Sequence, residues 1–174
     1  MKTIDIKKIG LESLHQLQSI SALTFCETFG SSNNPEDLEL YLHNNLNADK
    51  LLFELSTKDS EFYLAIYEGK VIGYLKLNFK NAQTENQDPE KVELERLYVL
   101  QEFHGEQIGY QLMQFAIETV MQRGLKTLWL GVWENNLKAI TFYKKLGFIT
   151  FGEHCFKLGN DNQRDLLMSL SLNN

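Results

Sequence analysis

Proline and cysteine are scarce in this chain, two of each in 174 residues, and no Gly/Ser-rich tract interrupts it. Without a linker signature, one domain spanning residues 1–174 is expected, of a size that buries roughly 70% of its unfolded surface and needs no staple. Cys26 and Cys155 stand far apart, with no CxxC pair and no Cys/His cluster at zinc-ligand spacing. They read as two thiols in a reducing compartment, and no metal is expected. No apolar run approaches the roughly 20 residues of a membrane span, and Met1 to Gly10 lacks the apolar core of a signal peptide. A cytoplasmic protein without a membrane partner follows as the expectation. Positive charge is also in short supply: the net charge is −6. That balance argues against a nucleic-acid partner, which calls for a basic face, and suits a cationic substrate.

Periodicity organises what is present. Apolar residues at Leu11, Leu14, Leu17, Ile20, Leu23 and Phe25 predict an amphipathic helix to Phe29. Asn34-Pro35-Glu36-Asp37 reads as a cap, a first-turn proline and two acids at the positive dipole end, opening a second helix with Leu38, Leu42 and Leu46 on one stripe. A short helical piece is expected near Leu51 to Ser56. Phe62–Tyr67 and Val71–Leu77 form a predicted hairpin, with Gly69 supplying a positive φ in the turn. Asn81 to Glu90 is polar and reads as a loop. Val92–Leu100 is a strand, Gln107–Arg123 a helix ended by Gly124, Thr127–Trp133 a strand, and Leu137–Leu146 a helix between Asn136 and Gly147. Phe148–Phe156 and Leu166–Leu172 close the chain as strands. The order, two helices and a hairpin followed by β-α-β-α-β-β, is an α/β mixed-sheet arrangement.

The segment richest in chemistry runs from Val92 through Gly109. A strand passes through a tight loop into a helix N-terminus, where unpaired N–H groups and a positive dipole end face outward. Such a loop suits a diphosphate, and it equally suits an ordinary strand–helix turn. It is neither a Walker loop, since no GK[ST] follows, nor a G-x-G-x-x-G fingerprint.

Leu97-Tyr98-Val99 followed by His104-Gly105-Glu106-Gln107-Ile108-Gly109 resembles the acetyl-CoA motif of GNAT acetyltransferases, Gln/Arg-x-x-Gly-x-Gly/Ala after a strand. Asn136-Leu137-Lys138-Ala139-Ile140-Thr141-Phe142-Tyr143, running on to Gly147-Phe148, is similar to the second signature of that family. The resemblance covers nearly the whole chain. It extends to the PaiA-type acetyltransferases, which act on polyamines, through Glu93–Val99, Thr24–Phe29, Trp129–Glu134 and the closing Gly159-Asn160-Asp161-Asn162-Gln163-Arg164-Asp165-Leu166. Two positions depart from the pattern: His104 stands at the Gln/Arg position, and Gln107 replaces the first glycine. Gln107 is expected to keep a negative φ, as at a helix start. Glu106 is expected to point to solvent.

The resemblance implies a mixed, mostly antiparallel sheet of six to seven strands, splayed at the acetyl-CoA site and flanked by about four helices. It implies an N-acetyltransferase moving acetyl from acetyl-CoA to a primary amine by direct attack on the thioester, with spermidine or spermine as acceptor. Other amines (an aminoglycoside, an amino acid or a protein N-terminus) fit the same chemistry, and the two motif departures leave open a non-catalytic CoA-binding module. Leu97, Tyr98 and Val99 are then the strand positions beside pantetheine. His104, Gly105, Glu106, Gln107, Ile108, Gly109 and Tyr110 form the diphosphate loop and first helical turn. Asn136 contacts the cofactor arm or simply caps its helix. Tyr143 matches the tyrosine that protonates the leaving thiolate. An amine must also lose a proton before it attacks, since at pH 7 only about 0.1% of a primary amine is neutral. Glu93 and Glu95 lie two apart on one strand face and offer a base, Glu95 preferred, or an anchor for a distal ammonium, or merely salt bridges to Arg96 or Lys91. Glu27, Glu36, Asp37 and Glu39 are the acids available near the acceptor. GNAT enzymes are often homodimers; no segment here marks an interface.

Overall fold

The computed structural model describes residues 2–85, 88–158 and 161–172; Gly159 and Asn160 of the closing stretch lie outside the described residues. Seven strands make one sheet: β1 Asp5–Ile9, β2 Ser60–Tyr67, β3 Lys70–Phe79, β4 Lys91–Val99, β5 Thr127–Trp133, β6 Ile149–Leu158 and β7 Asp161–Ser171. Five α-helices accompany it: α1 Leu14–Phe29, α2 Pro35–Asn45, α3 Ala48–Ser56, α4 Ile108–Gln122 and α5 Leu137–Lys145. The spatial order of strands is β1-β2-β3-β4-β5-β7-β6. Every neighbouring pair is antiparallel except β4 and β5, which run parallel.

Local chemistry explains most boundaries. Asn34 accepts a hydrogen bond from Glu36 N at 2.9 Å and Pro35 follows, so α2 starts as its sequence predicts. Asn47 caps α3 in the same way, accepting from Lys50 N at 2.8 Å. The β2–β3 turn is tighter than expected. Tyr67 pairs with Lys70, leaving Glu68 and Gly69 as a two-residue turn with φ of 49° and 78°. Strand β1 was not foreseen; its five residues pair antiparallel with Ile66 to Phe62.

Alternation along β2 and β3 separates the two layers of helices. Tyr63 points to α4, where its ring meets Phe115 edge-on at 4.9 Å. On the opposite face Lys76 reaches Glu54 of α3. The core between is apolar, with Leu17, Leu51, Leu75, Leu77, Leu112, Met113 and Leu128 fully buried. Gly73 sits opposite Val99, where a Cβ would meet Tyr98 O at 2.6 Å, so only glycine lets β3 close against the end of β4.

The parallel seam is short. β4 and β5 pair only through Lys91–Thr127, Val92–Leu128 and Glu93–Trp129. Beyond Glu93 they part, while β4 stays paired to β3 and β5 to β7. The splay expected at the donor site is therefore present, between residues 94–99 and 130–133. Among the described residues no helix is long and apolar enough to cross a membrane.

Candidate active site

A cavity of about 930 Å³ opens where β4 and β5 part. Of the positions singled out from sequence, Leu97, Tyr98, Val99, His104, Gly105, Gln107, Ile108, Gly109, Tyr110, Asn136, Tyr143 and Glu95 line it together. Glu106 does not: its carboxylate turns outward and stands 3.5 Å from Lys2 Nζ. Of the four acids expected near the acceptor, only Glu27 is on the wall. Glu36 and Asp37 occupy the first turn of α2, and Glu36 and Glu39 are exposed.

One end of the cavity is shaped for an anion. The first backbone bond of α4 runs from Gln111 N to Gln107 O at 3.0 Å, so the N–H groups of Ile108, Gly109 and Tyr110 precede any intrahelical acceptor. They sit at the positive end of the dipole. Gly105 has φ of 86°, and a Cβ added there would meet nothing within 4 Å, which leaves an open cradle. The free β4 edge, the cradle and the volume together fit an extended diphosphate-bearing ligand. His104 Nε2 lies 2.9 Å from Val99 O, closing the loop against the end of β4. Glu27 reaches across from α1 and accepts from Gln101 N at 2.7 Å, fixing the loop from the other side.

Gln107 corrects an expectation. Its φ is +63°, left-handed, not the negative value of a helix start. The glycine of the family pattern belongs there because a Cβ strains this conformation by roughly 1–2 kcal/mol. Gln107→Gly is expected to stabilise the protein by about 1 kcal/mol after the entropy lost by glycine is set against it. A melting curve should show a rise of roughly 2–4 °C; an unchanged or lower midpoint contradicts the strain.

The opposite wall is ionic and largely dry. Lys76 Nζ lies 3.0 Å from Glu54 Oε2 and 2.6 Å from Glu95 Oε2. Arg96 Nη1 lies 2.9 Å from Glu54 Oε2, and its Nη2 3.1 Å from Glu95 Oε1. Asn78 Nδ2 donates to both Glu95 Oε2 at 2.5 Å and Glu93 Oε2 at 2.9 Å. The two glutamates therefore do face one place, despite a register shift opposite Lys76 and Leu77. Thr84 completes the shell of Glu93, its N–H donating at 2.8 Å to Oε2 and its hydroxyl to Oε1. Burial pushes the Glu95 carboxyl up, but Arg96 and Lys76 outweigh it and hold it at about 2. Glu93 is shifted the other way, raised by burial and by the Glu95 charge. The partners Lys76 and Asn78 were not foreseen; both lie in β3 and meet β4 only through its register.

Tyr143 lies on α5, 9% exposed, packed against Phe142 and Phe148. Burial pushes its phenol up to about 12, so it carries its proton throughout the working range. Asn136 is the helix cap, accepting from Ala139 N at 3.1 Å, and it also lines the cavity. Two further wall residues were missed, His154 and Asp165, which face each other across β6 and β7. Among the described residues no group of three or more His, Cys, Asp or Glu side chains is placed to hold a metal ion.

The family model described as "Acetyltransferase (GNAT) family" matches residues 16–148. A protein of Lactobacillus delbrueckii subsp. lactis, described as an uncharacterized N-acetyltransferase in the pepI 3′ region, is 41% identical over 172 residues, 99% of each chain. A spermidine N(1)-acetyltransferase of Thermoplasma acidophilum is 27% identical, covering 84% of this chain and 88% of its own. The fold is shared with the crystal structure of a PaiA N-acetyltransferase from Thermoplasma acidophilum in complex with coenzyme A. Its TM-score is 0.78 at 24% identity, over 97% of this chain and 99% of that one.

Proposed function

The chain belongs to the acetyltransferase (GNAT) family and draws its acetyl group from acetyl-CoA; from that premise we propose that the acceptor is a primary amine of a polyamine. One observation carries this reading. The donor loop and an acidic wall share a single cavity, which presents Glu27, Glu85, Glu93, Glu95 and Asp165 against Arg96, Lys138 and the histidines His104 and His154. Arg96 is already committed to Glu54 and Glu95. A cavity with that excess of carboxylates favours a substrate of several positive charges. The spermidine N(1)-acetyltransferase among the relatives supports the same class.

Bound acetyl-CoA supplies a thioester whose carbonyl carbon an amine attacks. The residues of the chain then divide the remaining work. The N–H groups at the start of α4 receive the diphosphate. The edge of β4 from Leu97 to Val99 holds the donor arm in extended form, as a sheet edge holds an added strand. Tyr143, protonated and buried at the splay, delivers its proton to the departing thiolate. Glu95, anionic at every working pH, holds the ammonium end of the acceptor through its charge. A group held near 2 has little affinity for a proton, so removal of the amine proton falls to another residue.

The test is thiol release from acetyl-CoA with spermidine, spermine and several unrelated amines. Release stimulated by the polyamines at least tenfold over monoamines is the expected result. Equal release with every amine removes polyamines as the acceptor while leaving the acetyl transfer in place.

A further inference from the structure

Asp165 and His154 are cross-strand neighbours in β7 and β6. Both line the cavity, where β7 lies between β5 and β6. The space they face is kept by Gly131, where a Cβ would come within 3.5 Å of Asp165 Oδ2 and 3.6 Å of His154 Cε1. Any longer side chain there would fill the approach to the pair.

Three groups of the cavity wall follow one another in order of rising exposure. Asp165 is innermost, its side chain 13% exposed, with Oδ2 3.7 Å from His154 Nε2. His154 is 25% exposed; its Nδ1 stands 2.9 Å from Glu85 Oε1, an ion-pair contact without the alignment of a hydrogen bond. Glu85 is the outermost, 39% exposed. The other oxygen, Asp165 Oδ1, is buried with no hydrogen-bond partner among the described residues. A buried carboxylate oxygen left without a donor is costly and favours the protonated carboxyl; Oδ1 itself is closed off, which leaves Oδ2 as the carboxylate oxygen on the cavity side. The carboxylates on β4 differ. Glu93 accepts from Asn78 and Thr84 through both of its oxygens, and Glu95 is clamped by Lys76, Arg96 and Asn78.

We propose that Asp165 is the base that takes the proton from the acceptor ammonium, and that His154 and Glu85 pass this proton to solvent. The proposal rests on the amine-acetylating reading above. The proton balance is complete. An ammonium carries three N–H protons. One goes to Asp165 Oδ2 and leaves by His154 and Glu85. The freed amine forms the C–N bond as the C–S bond breaks, and the sulfur keeps the bonding pair. A second proton ends on that sulfur, with Tyr143 as the donor and then restored from the new N–H. The third stays on the amide. Burial raises the Asp165 carboxyl to about 6, against the opposing pull of His154, which suits proton transfer near neutral pH. The charged and titratable groups facing Asp165 are His154 from β6 and, beyond it, Glu85; β5 presents Gly131 and Trp133. Its neighbour Arg164 is turned to Glu134 and Glu153.

The test compares wild type, Asp165→Asn and His154→Gln for acetylation of the best acceptor amine between pH 6 and 10. Melting curves with and without coenzyme A verify folding and donor binding. Asp165→Asn should lose about 100-fold in kcat/KM at pH 7. The deficit should shrink steadily toward pH 10, where the amine sheds its own proton. His154→Gln should show a smaller deficit with the same recovery. Unchanged activity of Asp165→Asn, or a loss equal at every pH, overturns the proposal, the latter because a merely structural role has no reason to be rescued by alkali. A wild type that releases thiol with no amine at all overturns the parent reading instead, and this proposal with it.

Discussion

Replacing Tyr143 with phenylalanine is expected to lower kcat about 100-fold while leaving coenzyme A binding and the folded structure intact. The substitution removes one hydroxyl from a ring that is packed on Phe142 and Phe148 and whose packing it does not alter. On the proposed mechanism, what is lost is a proton donor beside a leaving group that otherwise departs as a bare thiolate. The pH profile adds a second check. A phenol held at about 12 keeps its proton across the assay range, so the wild type should show no alkaline fall in kcat attributable to this group up to pH 10. Steady-state rates of Tyr143→Phe and wild type from pH 6 to 10 settle both points. A Tyr143→Phe enzyme within twofold of wild type removes the tyrosine from the chemistry.

Arg96→Met is the substitution with the largest expected cost in stability. It keeps an unbranched apolar stem and deletes the guanidinium that faces Glu54 and Glu95 together. Removing one partner of a buried ion pair costs about 3–5 kcal/mol where the other is left uncompensated, and the low end, about 3 kcal/mol, applies here because Lys76 still faces both glutamates. For a domain of this size that corresponds to a fall in Tm of roughly 10 °C. The sign of the pH dependence follows from Glu95. Its carboxyl is depressed in the folded protein, from the usual 4.5 to about 2. Such a group contributes stability that is fully present above about pH 4.5 and is lost as pH falls through 2. The shift corresponds to about 3 kcal/mol at neutral pH. Arg96→Met gives up part of that contribution, so the gap between wild type and variant should be widest above pH 5 and narrow as pH drops toward 3. Urea unfolding at pH 7 and pH 3 measures it. A gap that does not change with pH means that lost packing, not the glutamate charge, governs the cost.

The elements with strong local signals were legible in the sequence. The Asn34-Pro35 cap, the apolar stripe of α4, β5 and the Asn136 cap all fall within a residue or two of their expected places. Strand β1 was not, because Asp5-Ile6-Lys7-Lys8-Ile9 is short and largely polar, and it becomes a strand only through its pairing to β2. The donor loop could be read because its residues are contiguous. The acidic wall could be read only in part: the pairing of Arg96 with Glu95 was among the readings of the sequence, but the wall is assembled from β3, β4 and α3, and nothing in the spacing of Glu93 and Glu95 reveals that Lys76 joins it. Likewise the left-handed φ of Gln107 is a property of the turn and not of glutamine, which ordinarily avoids it. His154 and Asp165 lie 11 residues apart and meet only through the register of β6 on β7.

The three-residue seam between β4 and β5 also bears on how the molecule holds together as a mechanical object. Four strands lie on one side of it and three on the other, and each group is continuously bonded within itself. A ligand laid along both free edges would bridge two plates whose sheet bonding to each other is those three pairs alone, with α4 packed across the same seam on β3, β4 and β5. Bound there, it would act as a tie, setting the angle between the plates and with it the width of the slot between them.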